Sequence, residues 1–180
     1  MLEMVVESVR VNLQTYHRVV VLKQKDSDRY LPIWIGNNEA DAIVIQLQNV
    51  TVPRPQTHDL LKSVITQLGA KVERIVVNDL ADDVFYARIL IDFDGRHVEI
   101  DSRPSDAIAL AVRVKAPIFV EESVLEKAGV SLKGEGVDQM VQDTPGEHTP
   151  VTEDELRKLS AFKDFINSLD LDDLGKPEGE

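Results

Sequence analysis

The sequence predicts an α+β fold, a mixed and mainly antiparallel sheet packed with three main helices and followed by a C-terminal amphipathic helix. Two observations carry that prediction. Short apolar runs, several of them alternating with polar neighbours, recur at 2–13, 19–22, 30–35, 72–77, 84–91, 96–100 and 116–120, and polar turns separate most of them. Between them lie three longer segments, beginning near Glu39, Thr57 and Pro104, whose length, spacing and terminal residues favour helix.

Taken in order, residues 2–13 and Val19–Leu22 read as a hairpin about Gln14-Thr15-Tyr16. Lys25-Asp26-Ser27-Asp28-Arg29 turns into a third strand, Tyr30–Ile35, whose Pro32 hints at an edge or a bulge. Gly36-Asn37-Asn38 breaks that strand, and a helix follows from Glu39 to Asn49. Residues 51–56 are extended, because Pro53 and Pro55 each bias the preceding residue away from the α region. Thr57 is expected to cap the next helix, in which Leu60, Leu61, Val64, Ile65 and Leu68 form an apolar stripe ended by Gly69. Strands at 72–77 and 84–91 lead through a tight Asp94-Gly95 turn into 96–100.

Val98 to Arg113 is the stretch around which the chain is organised. A strand feeds a helix that opens on Pro104, where a missing N–H costs nothing, with Ser102 or Arg103 as N-cap. Ala107 to Val112 are all apolar, so this helix must be covered on more than one side. Ala116–Val120 is then a short strand, and Glu122–Ala128 a short helix closed by Gly129. Residues 1–131 form the main domain and 132–150 a Gly- and Pro-rich linker. The amphipathic helix covers 151–169, announced by the capping box Thr152-Glu153-Asp154-Glu155, and an acidic tail covers 170–180.

The composition narrows the function classes. The 180 residues include no cysteine, which excludes a disulfide framework and a thiolate zinc site and agrees with a cytoplasmic setting. No apolar run approaches the roughly 20 residues that cross a bilayer, and no membrane partner is expected. The net charge is −12, but its distribution is uneven. Residues 1–131 hold 15 Lys and Arg against 19 Asp and Glu, whereas residues 132–180 hold 5 against 13. The main domain is therefore mildly acidic, which suits a carboxylate site better than a broad basic groove.

Two polar clusters fall at helix starts, where free backbone N–H groups and the positive end of the dipole favour anions. One is Arg54, Thr57, His58 and Asp59; the other is Asp101, Ser102, Arg103, Ser105 and Asp106. Each admits a bland account, with Asp59, Asp106 and Glu39 complementing dipoles, Ser102 capping and Arg103 pairing with Asp101. Each also admits a site, in which Arg103 grips a phosphate through two parallel hydrogen bonds and Asp101 with Asp106 holds a divalent cation.

Three stretches stand in order: Leu31-Pro32-Ile33-Trp34-Ile35-Gly36 with Glu39-Ala40, then Arg54-Pro55-Gln56-Thr57-His58-Asp59-Leu60, then Asp101-Ser102-Arg103-Pro104-Ser105-Asp106-Ala107. Together they resemble the bifunctional nuclease domain family, the DNase/RNase domain of bacteria and plants, over residues 1 to about 131. The resemblance implies a compact α+β fold, a homodimer, and cleavage of both DNA and RNA with little sequence preference. Glu39, Thr57, His58, Asp59, Asp101, Arg103, Ser105 and Asp106 match its polar motifs.

On this reading His58, Asp59, Asp101, Arg103 and Asp106 form the catalytic set, with His58 as general base or acid. Arg54, Thr57, Ser102, Arg103 and Ser105 bind substrate, and Glu39, Asp101 and Asp106 hold Mg²⁺ or Mn²⁺. The alternative is a non-enzymatic dimeric module that recognises an anionic ligand or a protein partner.

Overall fold

The structure is a computed structural model that describes residues 1–11 and 17–131. The expected turn at 14–16, linker at 132–150, helix at 151–169 and tail at 170–180 lie outside the described residues. Among the described residues eight strands and four helices alternate in an α+β arrangement. In chain order they are β1 (Leu2–Val11), β2 (Arg18–Gln24), β3 (Arg29–Ile35), α1 (Asn37–Leu47), α2 (Thr57–Gln67) and β4 (Lys71–Ala81). There follow β5 (Val84–Phe93), β6 (Arg96–Ser102), α3 (Pro104–Val114), β7 (Ile118–Val120), α4 (Glu122–Ala128) and β8 (Val130–Ser131).

The strands make one sheet in the order β6-β5-β4-β7-β1-β2-β3-β8. Every neighbouring pair is antiparallel except β4 and β7. That parallel pair arises because the chain leaves β4 through a hairpin, enters α3, and returns only afterwards as β7. The short β8 escaped the sequence reading. It covers only Arg29 and Tyr30 of β3, so Pro32 lies beyond it, at a position facing no further strand among the described residues.

The core joins the sheet to α1 and α3. Leu22, Leu31, Ile33, Ile43, Ile75, Ile108 and Leu110 are fully buried, each contributing roughly 1.5–3 kcal/mol. In α3 every residue from Ala107 to Ala111 is buried, as its lack of a polar face required, with α1, α2, β4 and β5 around it. Its small alanines let those neighbours approach closely.

Gly129 closes α4 as expected, with a φ of −76° as the chain runs on extended into β8. Two local expectations are corrected. The N-cap of α2 is Gln56 rather than Thr57, because Asp59 accepts the Gln56 N–H at 2.9 Å and closes a capping box one residue earlier. The apolar stripe of α2 is not the face that packs: Leu60, Leu61, Val64 and Leu68 are exposed, while His58 is buried and Ile65 half-buried. Polar contacts near the start of α2 decide its rotation, as the site shows. No helix among the described residues is long and apolar enough to cross a membrane.

Candidate functional site

Arg103 is the junction of the site. It is the N-cap of α3, where β6 ends and Pro104 begins the helix, and its side chain is 67 % exposed. Its Nε donates to Asp106 Oδ2 at 2.7 Å and its Nη2 donates to Glu39 Oε1 at 2.7 Å. Asp106 lies in the first turn of the same helix, and its Oδ1 stands 3.1 Å from His58 Nε2. Glu39, His58, Arg103 and Asp106 thus form one continuous chain of contacts from the starts of three helices. A guanidinium carries five N–H donors, so three remain without a partner on Arg103 among the described residues.

Glu39 reaches Arg103 by folding back over the start of α1. A Cβ at Gly36 would overlap Glu39 Oε2, so the close approach depends on glycine at the N-cap of that helix.

Behind this chain lies a second one that sequence reasoning missed. Arg113, near the C-terminal end of α3, is 4 % exposed and uses all three of its guanidinium nitrogens. Its Nε donates to Asp59 Oδ1 at 2.7 Å, its Nη2 to Gln56 Oε1 at 2.9 Å, and its Nη1 to the carbonyls of Ala42 and Ala109 at 3.0 and 2.8 Å. One side chain therefore ties α1, α2 and α3 together, and Lys62 adds a bond to the Arg113 carbonyl at 3.2 Å. The signal was present as the basic residue that follows the all-apolar run. At a helix end such a residue ordinarily complements the dipole in solvent, and only the burial of α3 turns it inward.

The electrostatics follow from these contacts. Burial pushes the Asp106 carboxyl up, but the bonds from Arg103 and His58 outweigh it and hold the group below its ordinary value. For Asp59 burial again pushes up, and the Gln56 N–H and Arg113 outweigh it in the same way. Hydrogen bonds to Asp106 and then Glu39 raise Arg103 further, so it is a permanent cation.

The other sequence-predicted residues stand apart from the Glu39–Arg103–Asp106–His58 chain. Asp59 serves Arg113. Asp101 is exposed on β6, opposite Arg88, and makes no ion pair among the described residues. Arg54 and Thr57 are exposed, Ser102 Oγ donates to the Arg103 carbonyl at 3.0 Å, and Ser105 is buried in the first turn of α3. Glu39 and Asp106 already share Arg103, which occupies the place a cation between them would take. No group of three His, Asp or Glu poised to hold a metal ion occurs among the described residues, so as arranged they do not fit a divalent ion.

The family model described as the bifunctional nuclease domain matches residues 20–133. An uncharacterized protein of Mycobacterium tuberculosis is 40% identical over 172 residues, covering 96% of this chain and 97% of the relative. Bifunctional nuclease 1 of Oryza sativa subsp. japonica is 30% identical over 73% of this chain and 38% of its own length. Bifunctional nuclease 2 of Arabidopsis thaliana is 29% identical over 74% and 42%. The match to the plant proteins thus takes in less than half of each. The chain belongs to the bifunctional nuclease domain family.

Proposed function

We propose that the Glu39–Arg103–Asp106–His58 chain hydrolyses phosphodiester bonds of DNA and RNA with little sequence preference. The observation that supports this reading most is the exposed guanidinium of Arg103, held by two carboxylates with donors to spare, one contact away from the His58–Asp106 pair. The spare donors grip non-bridging phosphoryl oxygens and stabilise the charge that develops on them. Contacts to phosphate carry no base information, which accounts for the low sequence preference.

Asp106 accepts from the His58 ring and orients it, so that the other nitrogen, Nδ1, takes a proton from the attacking water. Water oxygen bonds to phosphorus, the P–O bond to the leaving nucleoside breaks, and solvent protonates the departing oxygen. The names of the plant relatives support the reaction class. A homodimer and a cytoplasmic setting complete the reading, the latter in keeping with a cysteine-free chain.

The test is cleavage of single- and double-stranded DNA and RNA by the purified full chain beside His58→Ala and Arg103→Ala. Both variants are expected to lose activity by about a hundredfold or more. Equal cleavage by the variants removes the reading. The same assay with Mg²⁺, Mn²⁺ or a chelator decides the divalent-ion expectation: dependence on the ion that Glu39→Gln abolishes would mean that Arg103 yields its place to metal.

One observation favours a second reading, a non-enzymatic dimeric module for an anionic ligand or protein partner. Residues 1–131 carry 19 acidic against 15 basic residues, and two carboxylates already flank Arg103. Non-specific affinity for nucleic acid rests on cationic contacts and weakens with salt. Absence of binding to either nucleic acid at low salt selects this second reading.

A further inference from the structure

Helix α2 is turned against its own apolar stripe. Leu60, Leu61, Val64 and Leu68 are exposed in the single chain, whereas His58 is buried. At 3.6 residues per turn the stripe is centred about a quarter turn from His58. A rotation by that quarter turn would bury the leucines and carry His58 and Asp59 off their partners. Burial of an apolar face is what ordinarily orients a helix, and here polar contacts override it.

Those contacts come from α3. Asp106 and Arg113 lie seven positions apart, about two turns along one face of that helix. Asp106 meets the His58 imidazole, with Oδ1 at 3.1 Å from Nε2. Arg113 takes the two residues that bracket His58, donating from Nη2 to Gln56 Oε1 and from Nε to Asp59 Oδ1. The Gln56 N–H in turn donates to Asp59 Oδ2 at 2.9 Å. Gln56, Asp59 and Arg113 thus form a closed loop of three hydrogen bonds across the first turn of α2, with His58 inside it. Both oxygens of Asp59 are used within that loop.

We infer that Asp59 and Arg113 are positioning residues for His58. Helix α3 holds the start of α2 at two points, Arg113 fixing the backbone on either side of His58 and Asp106 fixing its ring. The imidazole is left with a single orientation, Nε2 on Asp106 and Nδ1 available as a base. Asp59, which the family resemblance puts in the catalytic set, acts through His58 and not on the substrate. A displacement of about 1 Å can cost a reacting group a hundredfold in rate, which is a physical reason for fixing the imidazole at the expense of the leucines. The effect on rate rests on the proposed reading, but the placement of the ring does not.

The test reads the His58 ring directly. Nitrogen-15 spectra of the full chain are expected to show an imidazole N–H that exchanges slowly with water and is missing from His58→Gln, because the Nε2 proton is buried against Asp106. Asp59→Asn keeps the shape of the side chain but has one acceptor fewer, so the loop opens. Arg113→Lys opens it from the other side, since an ammonium lacks the fork that reaches Gln56 and Asp59 together. Both are expected to speed exchange of that proton about tenfold or more, and to lower kcat about tenfold or more. KM should change by less than about twofold, because Arg103 keeps its two carboxylates. Val20→Ala opens a cavity in the core on β2, and is expected to lower the melting temperature while leaving the exchange at the wild-type rate.

Wild-type exchange in either variant removes that residue from the inference. Equal acceleration by Val20→Ala would mean general loosening and overturns it, as does a wild-type ring already in fast exchange. If neither charged variant folds, Gln56→Ala, which takes away one neutral acceptor, decides in their place. Faster exchange with kcat unchanged keeps the placement and overturns its part in the rate. A wild type that cleaves nothing overturns the proposed function, and the exchange rates still decide how the ring is held.

Discussion

His58 Nε2 and Asp106 Oδ1 stand 3.1 Å apart although 48 positions separate the two residues in the chain. The contact joins the start of α2 to the start of α3 and gives a buried imidazole a fixed orientation. Replacing His58 with Gln keeps a polar side chain of similar reach but removes the base of the proposed reading. Phosphodiester cleavage is expected to fall about 10²–10⁴-fold, with the circular dichroism spectrum retained. Single-turnover kinetics on a labelled oligonucleotide read the loss.

Arg113 should matter more to stability than any residue that faces solvent. Arg113→Met keeps the length of the side chain and strands the Asp59 carboxylate together with two carbonyls and the Gln56 amide. A loss of about 1–3 kcal/mol is expected, because the half-buried Asp59 carboxylate and the other acceptors of Arg113 lose their bonds. Arg113→Lys should recover only part of it, since one ammonium cannot reach four acceptors spread around a planar fork. Urea unfolding with a constant slope measures both.

Gly36→Ala separates the site from the fold. The added methyl overlaps only the far end of the Glu39 side chain, which is free to swing away, so stability should change by about 1 kcal/mol or less. The cost falls on Arg103, which loses Glu39 and keeps Asp106 alone. A raised KM with a smaller change in kcat is the expected kinetic signature, and an unchanged KM would show that Glu39 does not position the guanidinium.

Acid should unfold the protein partly through Asp59 and Asp106. Both carboxyls are held below the ordinary value of 3.8, so each ionises more readily in the native than in the unfolded chain. Their contribution is complete well above 3.8 and drains away as pH falls through 3.8 and then through the lower native values. Asp59→Asn and Asp106→Asn should each flatten the acid limb of a melting-temperature profile. A limb as steep as that of the wild type would place the linkage elsewhere.

Much of the architecture was legible because its causes are local. Alternation, Asp94-Gly95, Pro104 and the all-apolar run after it each constrain their own segment, and the strands and helices they announce are present. The helix from Thr57 was legible in extent but not in orientation. Its leucines form the stripe by which one expects a helix to pack, and yet the Arg113 contacts to Gln56 and Asp59, with His58 against Asp106, turn those leucines outward. Periodicity reports that a face exists and not what lies opposite it.

The site divides in the same way. That Glu39, His58, Arg103 and Asp106 are chemically able residues at helix starts was determined by the sequence alone, because helix termini and residue types are local facts. That Arg103 closes on Glu39 and Asp106, that Asp101 two residues before it stays exposed on β6, and that Arg113 is buried were decided only by tertiary structure. The reason is geometric: a side chain finds its partner through the crossing of elements far apart in the chain, and no spacing within one segment encodes that crossing.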